Sequence, residues 1–417
     1  MGGPTRVLMI SRHYWPHFSI DAACRDARLA DALARAGMSI EVLTPRYAAS
    51  WPEQIVHREI VVHRPLAAPR GAWSVGRYLK LMEAWLIENA HRFDVFFCTH
   101  CDDDVIAMVR AATVKSLRTV VLHSGTSAAA DHVVWPATRN GRRIGWSLDR
   151  ADAIVVSWPS IHRQLLAMGL NAKKLHRIDI GVPPTALAAH REDQPASNDS
   201  LRRARAALSH VNGDLMLHHD SYVVMACGEM NLLGGMMKLA ATVPPLIDIW
   251  PDLRFWLVGD GRQRDALHNF FRHHSVRQNV AMPGTFVDFD DLFQVADLLV
   301  VPSATDSLES TLPAAVGAAL PIVVADSPDT RSFFAGAEEA VGWFTADDTD
   351  SMRSAIRAAL IDLPARRAWA RSLRRKWMQH RPYQSTVEDY KHLLESLVPP
   401  PQRLSLPPID GATKRSN

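Results

Sequence analysis

The chain has few cysteines, little net charge and no long apolar run. Its 417 residues include four cysteines, and 47 basic residues nearly balance 44 acidic ones, for a formal charge of +3. The cysteines fit a reducing compartment, and Cys98-Thr-His-Cys101 lacks the second pair that a zinc site requires. The balanced charge predicts no nucleic-acid partner. Because no segment approaches membrane-spanning length, we expect a cytoplasmic protein. The cysteine spacing also leads us to expect no metal site.

The chain instead carries two sets of alternating β-rich and helical segments. The first set covers residues 1–183 and the second covers residues 221–375. Such alternation predicts two α/β domains with parallel sheets covered on both faces, whose ligands sit beyond the carboxyl ends of the strands. Residues 184–220 lack the pattern and are predicted to form a linker with one short exposed helix. A helix is predicted at 376–397, crossing back to the first domain, and a disordered tail at 398–417.

Several segments together resemble one family. VGDGRQRDAL, PGTFVDFDDLFQVADLLVVPS and LPAAVGAALPIVV in the second half, with SRHYWP and RADAIVVSWPSIHRQLLAMGL in the first, are similar to the GT-B glycosyltransferases of the retaining family 4 type, the glycosyl transferases group 1. The resemblance covers nearly the whole chain. It implies an α/β GT-B fold, with two Rossmann-like domains facing each other across a cleft. The N-terminal domain would hold the acceptor, and the C-terminal domain would hold a nucleotide sugar as co-substrate, with no other cofactor.

The implied reaction moves a hexose from a nucleotide sugar to a glycan or lipid-linked acceptor with retention of configuration and without a metal, as in polysaccharide biosynthesis. Charge growing on the departing diphosphate calls for basic side chains and helix N-terminal amides. The resemblance implies that His123 and Asp306 are catalytic. It places donor-binding positions at Gly228, Glu229, Lys238, Arg264, Gly284, Thr285, Ser307, Leu308, Glu309, Ser310 and Thr311.

Some positions depart from the family's pattern. The family carries Arg and Lys in a GRLxxxKG segment that reads GEMNLLGG here, so Glu229 replaces the Arg and Gly234 replaces the Lys. A carboxylate beside a diphosphate is repulsive in a low-dielectric cleft. Lys238, Arg262 and Arg264 are therefore the candidates for supplying the missing positive charge.

Two further departures concern the acidic loop and the first turn of the chain. The family's second Glu, eight positions after Asp306, is Ala314, and its glycine pair after the first strand is replaced by Ser19, Ile20 and Asp21. Losing the Glu removes a hydroxyl acceptor whose loss costs roughly 1 to 3 kcal/mol when its partner stays buried and unpaired. Structural alternatives stay open as well: turn and cap chemistry for Asp306, backbone pairing for His123 and a solvated helix start for Arg264.

Three functions remain open at this point: an active glycosyltransferase, a GT-B-fold binding or partner protein that has lost donor chemistry, and a nucleotide-sugar epimerase of the same architecture. The segment from Trp73 to Phe93 places Trp73, Tyr78, Leu81 and Trp85 at helical spacing. It predicts either a buried helix or lid, or a surface that touches a lipid-linked acceptor or the inner face of the membrane.

Overall fold

The computed structural model describes residues 3–16, 21–125, 130–184, 198–217, 221–286, 289–306 and 308–398. These residues form two α/β domains, each built on a mostly parallel sheet, as the alternating pattern predicts. Ser307 and the segment 399–417, which includes most of the predicted tail, lie outside the described residues, as do Ser19 and Ile20.

The N-terminal sheet has the strand order β3-β4-β2-β1-β5-β6-β7-β8. Its strands are β1 Arg6–Ile10, β2 Ser39–Leu43, β3 Gln54–His57, β4 Ile60–His63, β5 Val95–Cys98, β6 Arg118–His123, β7 Ala153–Val156 and β8 Leu175–Arg177. All neighbours are parallel except β3 and β4, which form an antiparallel hairpin. The central strands β5 and β7 are buried along their whole length because helices cover both faces of the sheet. These helices are α1 Asp21–Arg35, α2 Ala72–Asn89, α3 Asp104–Lys115, α4 Asp131–Val134, α5 Gly141–Arg150 and α6 Pro159–Ala167.

The C-terminal sheet has the order β11-β10-β9-β12-β13-β14, with all neighbours parallel. Its strands are β9 Val223–Cys227, β10 Arg254–Val258, β11 Val280–Gly284, β12 Leu298–Val301, β13 Ile322–Asp326 and β14 Gly342–Thr345. The helices from the linker onwards are α7 Asn198–Val211, α8 Met236–Ile247, α9 Arg264–His273, α10 Asp290–Val295, α11 Thr311–Gly317, α12 Pro328–Phe333, α13 Thr349–Ile361, α14 Leu363–His380 and α15 Tyr383–Leu397.

The chain passes between the domains twice, and the two passages are hydrogen-bonded to each other. The amide of Val182 donates to the carbonyl of Arg381 at 2.9 Å, and the amide of Tyr383 donates to the carbonyl of Val182 at 3.0 Å. Helix α15 then lies against the N-terminal domain, where Tyr390 packs on Phe97 with ring centroids 5.7 Å apart.

Two predicted surface features differ in the structure. Helix α7, expected to be exposed, packs against α10 and buries Ala204 and Leu208, because its apolar residues recur on one face. Helix α2 is neither fully buried nor fully exposed: Tyr78 is 6% exposed, whereas Trp73 is 83% exposed. None of the helices in the described part of the chain is long and apolar enough to cross a membrane.

Candidate functional site

The carboxyl ends of the C-terminal strands face helix α1 of the N-terminal domain. Gly228 follows β9, Gly259 follows β10 and Thr285 follows β11, and all three line a small pocket together with Asp21 and Thr311. The strand ends approach each other so closely that a Cβ on Gly259 would lie 1.9 Å from the carbonyl oxygen of Gly228. The pocket holds about 20 Å³, which is room for about one water molecule. The two domains therefore meet closely at this point.

The turn before α11 binds a carboxylate from the other domain. Asp21, the first residue of α1, accepts hydrogen bonds from the amides of Glu309, Ser310 and Thr311 at 2.8, 2.9 and 2.8 Å. The Thr311 hydroxyl donates to the same carboxylate at 2.8 Å. Free amides at a helix start attract anions because they carry partial positive charge. Here that place is taken by the protein's own carboxylate.

Glu309 joins the same interface through its side chain. Its carboxylate pairs with Arg25 and accepts a hydrogen bond from Trp158 Nε1 at 3.3 Å. Arg25 also donates to the buried Asp26 from Nε at 2.9 Å and from Nη2 at 2.7 Å. Burial acts to lower the pKa of Arg25, but Asp26 and Glu309 outweigh it, so the net shift is upward. Arg25 thus stays charged and links the two domains.

The loop after β9 is shaped around Gly234. The amide of Glu229 donates to Asp306 Oδ2 at 3.0 Å, and Asn231 Oδ1 accepts from the amide of Gly234 at 2.8 Å. A Cβ on Gly234 would lie 2.0 Å from the carbonyl oxygen of Glu229. Since such a contact is impossible without moving backbone, the loop in this conformation admits only glycine at position 234. Glycine here is a requirement of the loop, and a lysine would need a different loop.

Two of the three predicted basic substitutes are engaged elsewhere. Lys238 pairs with Asp347 and does not line the pocket between the domains. Arg264, the first residue of α9, donates from Nη2 to the carbonyl of Met282 at 2.5 Å, so its side chain contacts β11 and is not simply solvated. Burial raises the pKa of Glu229, with a hydrogen bond from Asn231 acting against the shift. Arg262 is exposed and acts to lower the pKa of Glu229, so one of the three predicted residues does bring positive charge near this loop.

His123 ends β6 as predicted, but it is 1% exposed. Its Nε2 lies 3.3 Å from Nδ1 of His132, its ring meets Trp135 edge-on, and its buried Nδ1 has no hydrogen-bond partner among the described residues. Burial lowers the pKa of His123 to about 3, and His132 adds to the shift, so the ring is neutral near pH 7. Its predicted role at a sugar stays a prediction.

The other predicted positions either build the turn before α11 or end a strand. Leu308 and Ser310 are buried, and Asp306 joins the loop after β9, so these residues build the turn. Gly284 has a φ of +92° and accepts from the amide of Gly259 at 2.8 Å.

Cys98 and Cys101 are both buried free thiols, and within the described ranges no group of His, Cys, Asp and Glu could hold a metal ion.

Comparison with known proteins gives the family. A family model described as "Glycosyl transferases group 1" matches residues 221–362, and one described as "Glycosyl transferase 4-like domain" matches residues 25–181. The chain belongs to the group 1 glycosyltransferases of the GT-B fold. No curated protein matches its sequence.

Solved structures confirm the predicted fold of this glycosyltransferase. Sucrose-phosphate synthase from Thermosynechococcus elongatus is 17% identical with a TM-score of 0.70, over 94% of this chain and 99% of that one. HepE from Anabaena, solved with UDP and glucose, is 16% identical with a TM-score of 0.70, over 94% and 100%. WaaG, a glycosyltransferase involved in lipopolysaccharide biosynthesis, is 15% identical with a TM-score of 0.68, over 93% and 99%.

Asp21 and Arg25, the N-terminal residues that join the two domains of this glycosyltransferase, were not predicted as site residues. Asp21 is the first residue of a helix, where an acidic residue already has a local explanation. Arg25 lies one turn later in an arginine-rich helix, and nothing in the local sequence separates it from surface arginines. Their partners lie 288 and 284 residues away along the chain.

Proposed function

We propose that the protein transfers a sugar from a nucleotide-sugar donor, bound between its domains, to a glycan or lipid-linked acceptor with retention of configuration. In this reaction the departing phosphate takes the proton of the acceptor hydroxyl on the same face of the sugar, so no separate base is required. The observation that carries the proposal is the pocket at the carboxyl ends of β9, β10 and β11, where the GT-B fold binds its ligands.

The chemistry of the pocket supports the proposal. Gly228 and Gly259 bring bare backbone to its wall, as a close approach to a phosphate or ribose requires. Thr285 presents a loop backbone that could meet a nucleobase. The amides of residues 309–311 already hold an anion, the carboxylate of Asp21. Since the pocket holds only about one water molecule, a bound donor must extend from it into the neighbouring space between the domains.

The test is a direct assay of the purified protein with a panel of nucleotide sugars. UDP-glucose is the first donor to try, because HepE was solved with it. We expect release of the nucleoside diphosphate that increases when acceptor glycans or lipid-linked sugars are added. A protein that neither consumes any donor nor binds one by calorimetry would contradict the proposal.

A lipid-linked acceptor is favoured by the exposed face of α2. Trp73 and Leu81 are 83% and 48% exposed, and Arg77 and Lys80 are exposed on the same helix. Apolar and basic side chains on one face suit an anionic lipid surface. Replacing Trp73 and Leu81 by Ser should weaken sedimentation with anionic vesicles at least several-fold. Equal sedimentation of the native and changed proteins would argue for a free glycan instead.

A second candidate is a binding or partner protein of GT-B fold without donor chemistry. The observation that favours it is Asp21, which fills the anion-binding turn while Glu229 brings a carboxylate to the family's arginine position. Under this alternative the native protein binds no nucleotide, and the double change Asp21→Ala and Glu229→Arg gains nucleotide binding. Turnover by the native protein would exclude it.

A further inference from the structure

A second cavity lies between the domains, behind the small pocket, and we call it the Arg28 cavity. It holds about 270 Å³ and is lined by Arg28, Asp31 and Arg35 of α1, Arg58 of the β3–β4 hairpin, Asp290 of α10 and Ala314 of α11. A single ordered water needs only about 15 Å³ of such space. The Arg28 cavity therefore has room for a phosphate group and several waters, whereas the neighbouring pocket has room for about one water molecule.

The charges of the Arg28 cavity are incompletely balanced. Arg35 pairs with Asp31 at 3.0 Å, which neutralises both. Arg28 reaches Ser310 Oγ at 3.2 Å, a neutral partner, and neither Arg28 nor Arg58 forms an ion pair with any carboxylate in the described part of the chain. Asp290 is the remaining carboxylate on the wall. Two arginines thus face one carboxylate, and guanidinium groups are well suited to bind phosphate oxygens in pairs.

Compared with the family's pattern, one carboxylate is gained at Asp21 and one is lost at Ala314. Asp21 has entered the turn at 309–311, where four hydrogen bonds hold it. A second anion there would meet Asp21 at contact distance, so the turn is closed to phosphate while Asp21 stays. The glutamate expected at position 314 is absent, and Ala314 adds no carboxylate to the Asp31 and Asp290 already on the wall of the Arg28 cavity. With the turn occupied and the glutamate absent, we expect an anion to bind beside Arg28 and not at the turn.

We propose that the Arg28 cavity binds a phosphate group of a substrate, with Arg28 and Arg58 as its ligands. The proposal rests on the proposed transfer reaction for the identity of the substrate, but not for the binding itself. The phosphate could belong to the nucleotide of the donor or to a phosphorylated acceptor, and both present the same chemistry to two guanidinium groups.

Calorimetric titration of the full chain with inorganic pyrophosphate tests the site. We expect Arg28→Gln and Arg58→Gln each to weaken binding about 10-fold or more, because each removes a charged hydrogen-bond donor. Ala314→Glu should weaken it at least as much, since it returns a carboxylate to the wall. Arg371→Gln, at an exposed arginine of α14, is the matched control and should change nothing. If Arg28→Gln fails to fold, Arg28→Lys replaces it in the test. Because lysine keeps the positive charge, this variant should retain most of the affinity for pyrophosphate.

Competition separates the two sources of the phosphate. Displacement of pyrophosphate by UDP but not by glucose 6-phosphate assigns the site to the donor, and the reverse assigns it to an acceptor. The proposal is overturned if the native protein does not bind pyrophosphate, or if Ala314→Glu leaves its affinity for pyrophosphate unchanged or raises it. It is also overturned if Asp21→Asn raises the affinity tenfold while Arg28→Gln has no effect.

The proposed transfer reaction fails or stands separately, by the assay with nucleotide sugars. Pyrophosphate binding that depends on Arg28, in a protein that consumes no donor, supports the site and contradicts the reaction. If the native protein turns over a donor but Arg28→Gln and Ala314→Glu leave its affinity for pyrophosphate unchanged, the reaction is supported and the proposed site is overturned.

Discussion

Replacing Asp21 by Asn should loosen the contact between the two domains. Oδ2 of Asp21 accepts from the amides of Glu309 and Ser310, and Oδ1 accepts from the amide and the hydroxyl of Thr311. The amide oxygen of an Asn can keep one of these pairs, but its NH₂ group would then face the donors of the other pair. Two hydrogen bonds to a charged acceptor are lost, each worth about 1.5 to 3 kcal/mol. Because Asp21 is partly exposed and water can replace part of the loss, we expect about 3 kcal/mol.

The assay is the free energy of unfolding in urea, followed by tryptophan fluorescence and circular dichroism. Asp199→Asn is the control, because Asp199 is also an acidic residue in the first turn of a helix but is exposed. It should cost at most about 1 kcal/mol, the usual effect of a charge at a helix start. If Asp21→Asn costs no more than Asp199→Asn, the carboxylate is not a ligand of the turn and the reasoning is wrong. A double-mutant cycle with Thr311→Val should show coupling of about 1 kcal/mol.

Three further predictions follow from the same contacts. Glu309→Gln leaves the buried Arg25 without its partner across the interface and should lower the free energy of unfolding by about 3 kcal/mol, measured in urea. Gly234→Ala should destabilise the protein by more than about 2 kcal/mol in the same assay because its Cβ would collide with backbone, whereas Gly76→Ala, which has open space within α2, should stabilise it by about 0.5 to 1 kcal/mol. Because the pKa of His123 is lowered to about 3, its contribution to stability is complete above pH 6.5 and is lost as the pH falls from 6.5 toward 3, so His123→Phe should remove up to about 1.4 kcal/mol per pH unit from that slope.

Each of these has its own control or contradicting outcome. Glu83→Gln, which breaks a partly exposed pair with Arg110, should cost less than about 1 kcal/mol, and a similar cost at Glu309 would mean that its pair is a surface pair. Equal tolerance of Ala at positions 234 and 76 would show that the loop after β9 has another conformation. An unchanged pH slope in His123→Phe would mean that the ring is protonated in the folded protein.

The strands with continuous apolar runs could be predicted from the sequence because buried parallel strands need no polar alternation. The β3–β4 hairpin was missed. Its turn is Arg58-Glu59, and both residues have positive φ, of 51° and 67°. Turns with this backbone conformation are normally recognised in a sequence by Asn or Gly. Without those residues, nothing in the local sequence separates the hairpin from a loop.

The candidate site was predictable only where it is built from local segments. The turn before α11, the glycine after β9 and the glycine that ends β11 follow from strand, loop and helix patterns. The partner of that turn could not be found in the same way, since Asp21 lies in the other domain and satisfies a local rule by itself. Gly234 was interpreted as the loss of a lysine, whereas the structure gives it a backbone reason.

The most direct test of the account is a crystal structure of the native protein with UDP. We predict that Asp21 remains hydrogen-bonded to the amides of residues 309–311 and that the diphosphate lies against Arg28 in the cavity beside Ala314. A diphosphate bound to the amides of residues 309–311, with Asp21 displaced and the Arg28 cavity holding only water, would contradict it.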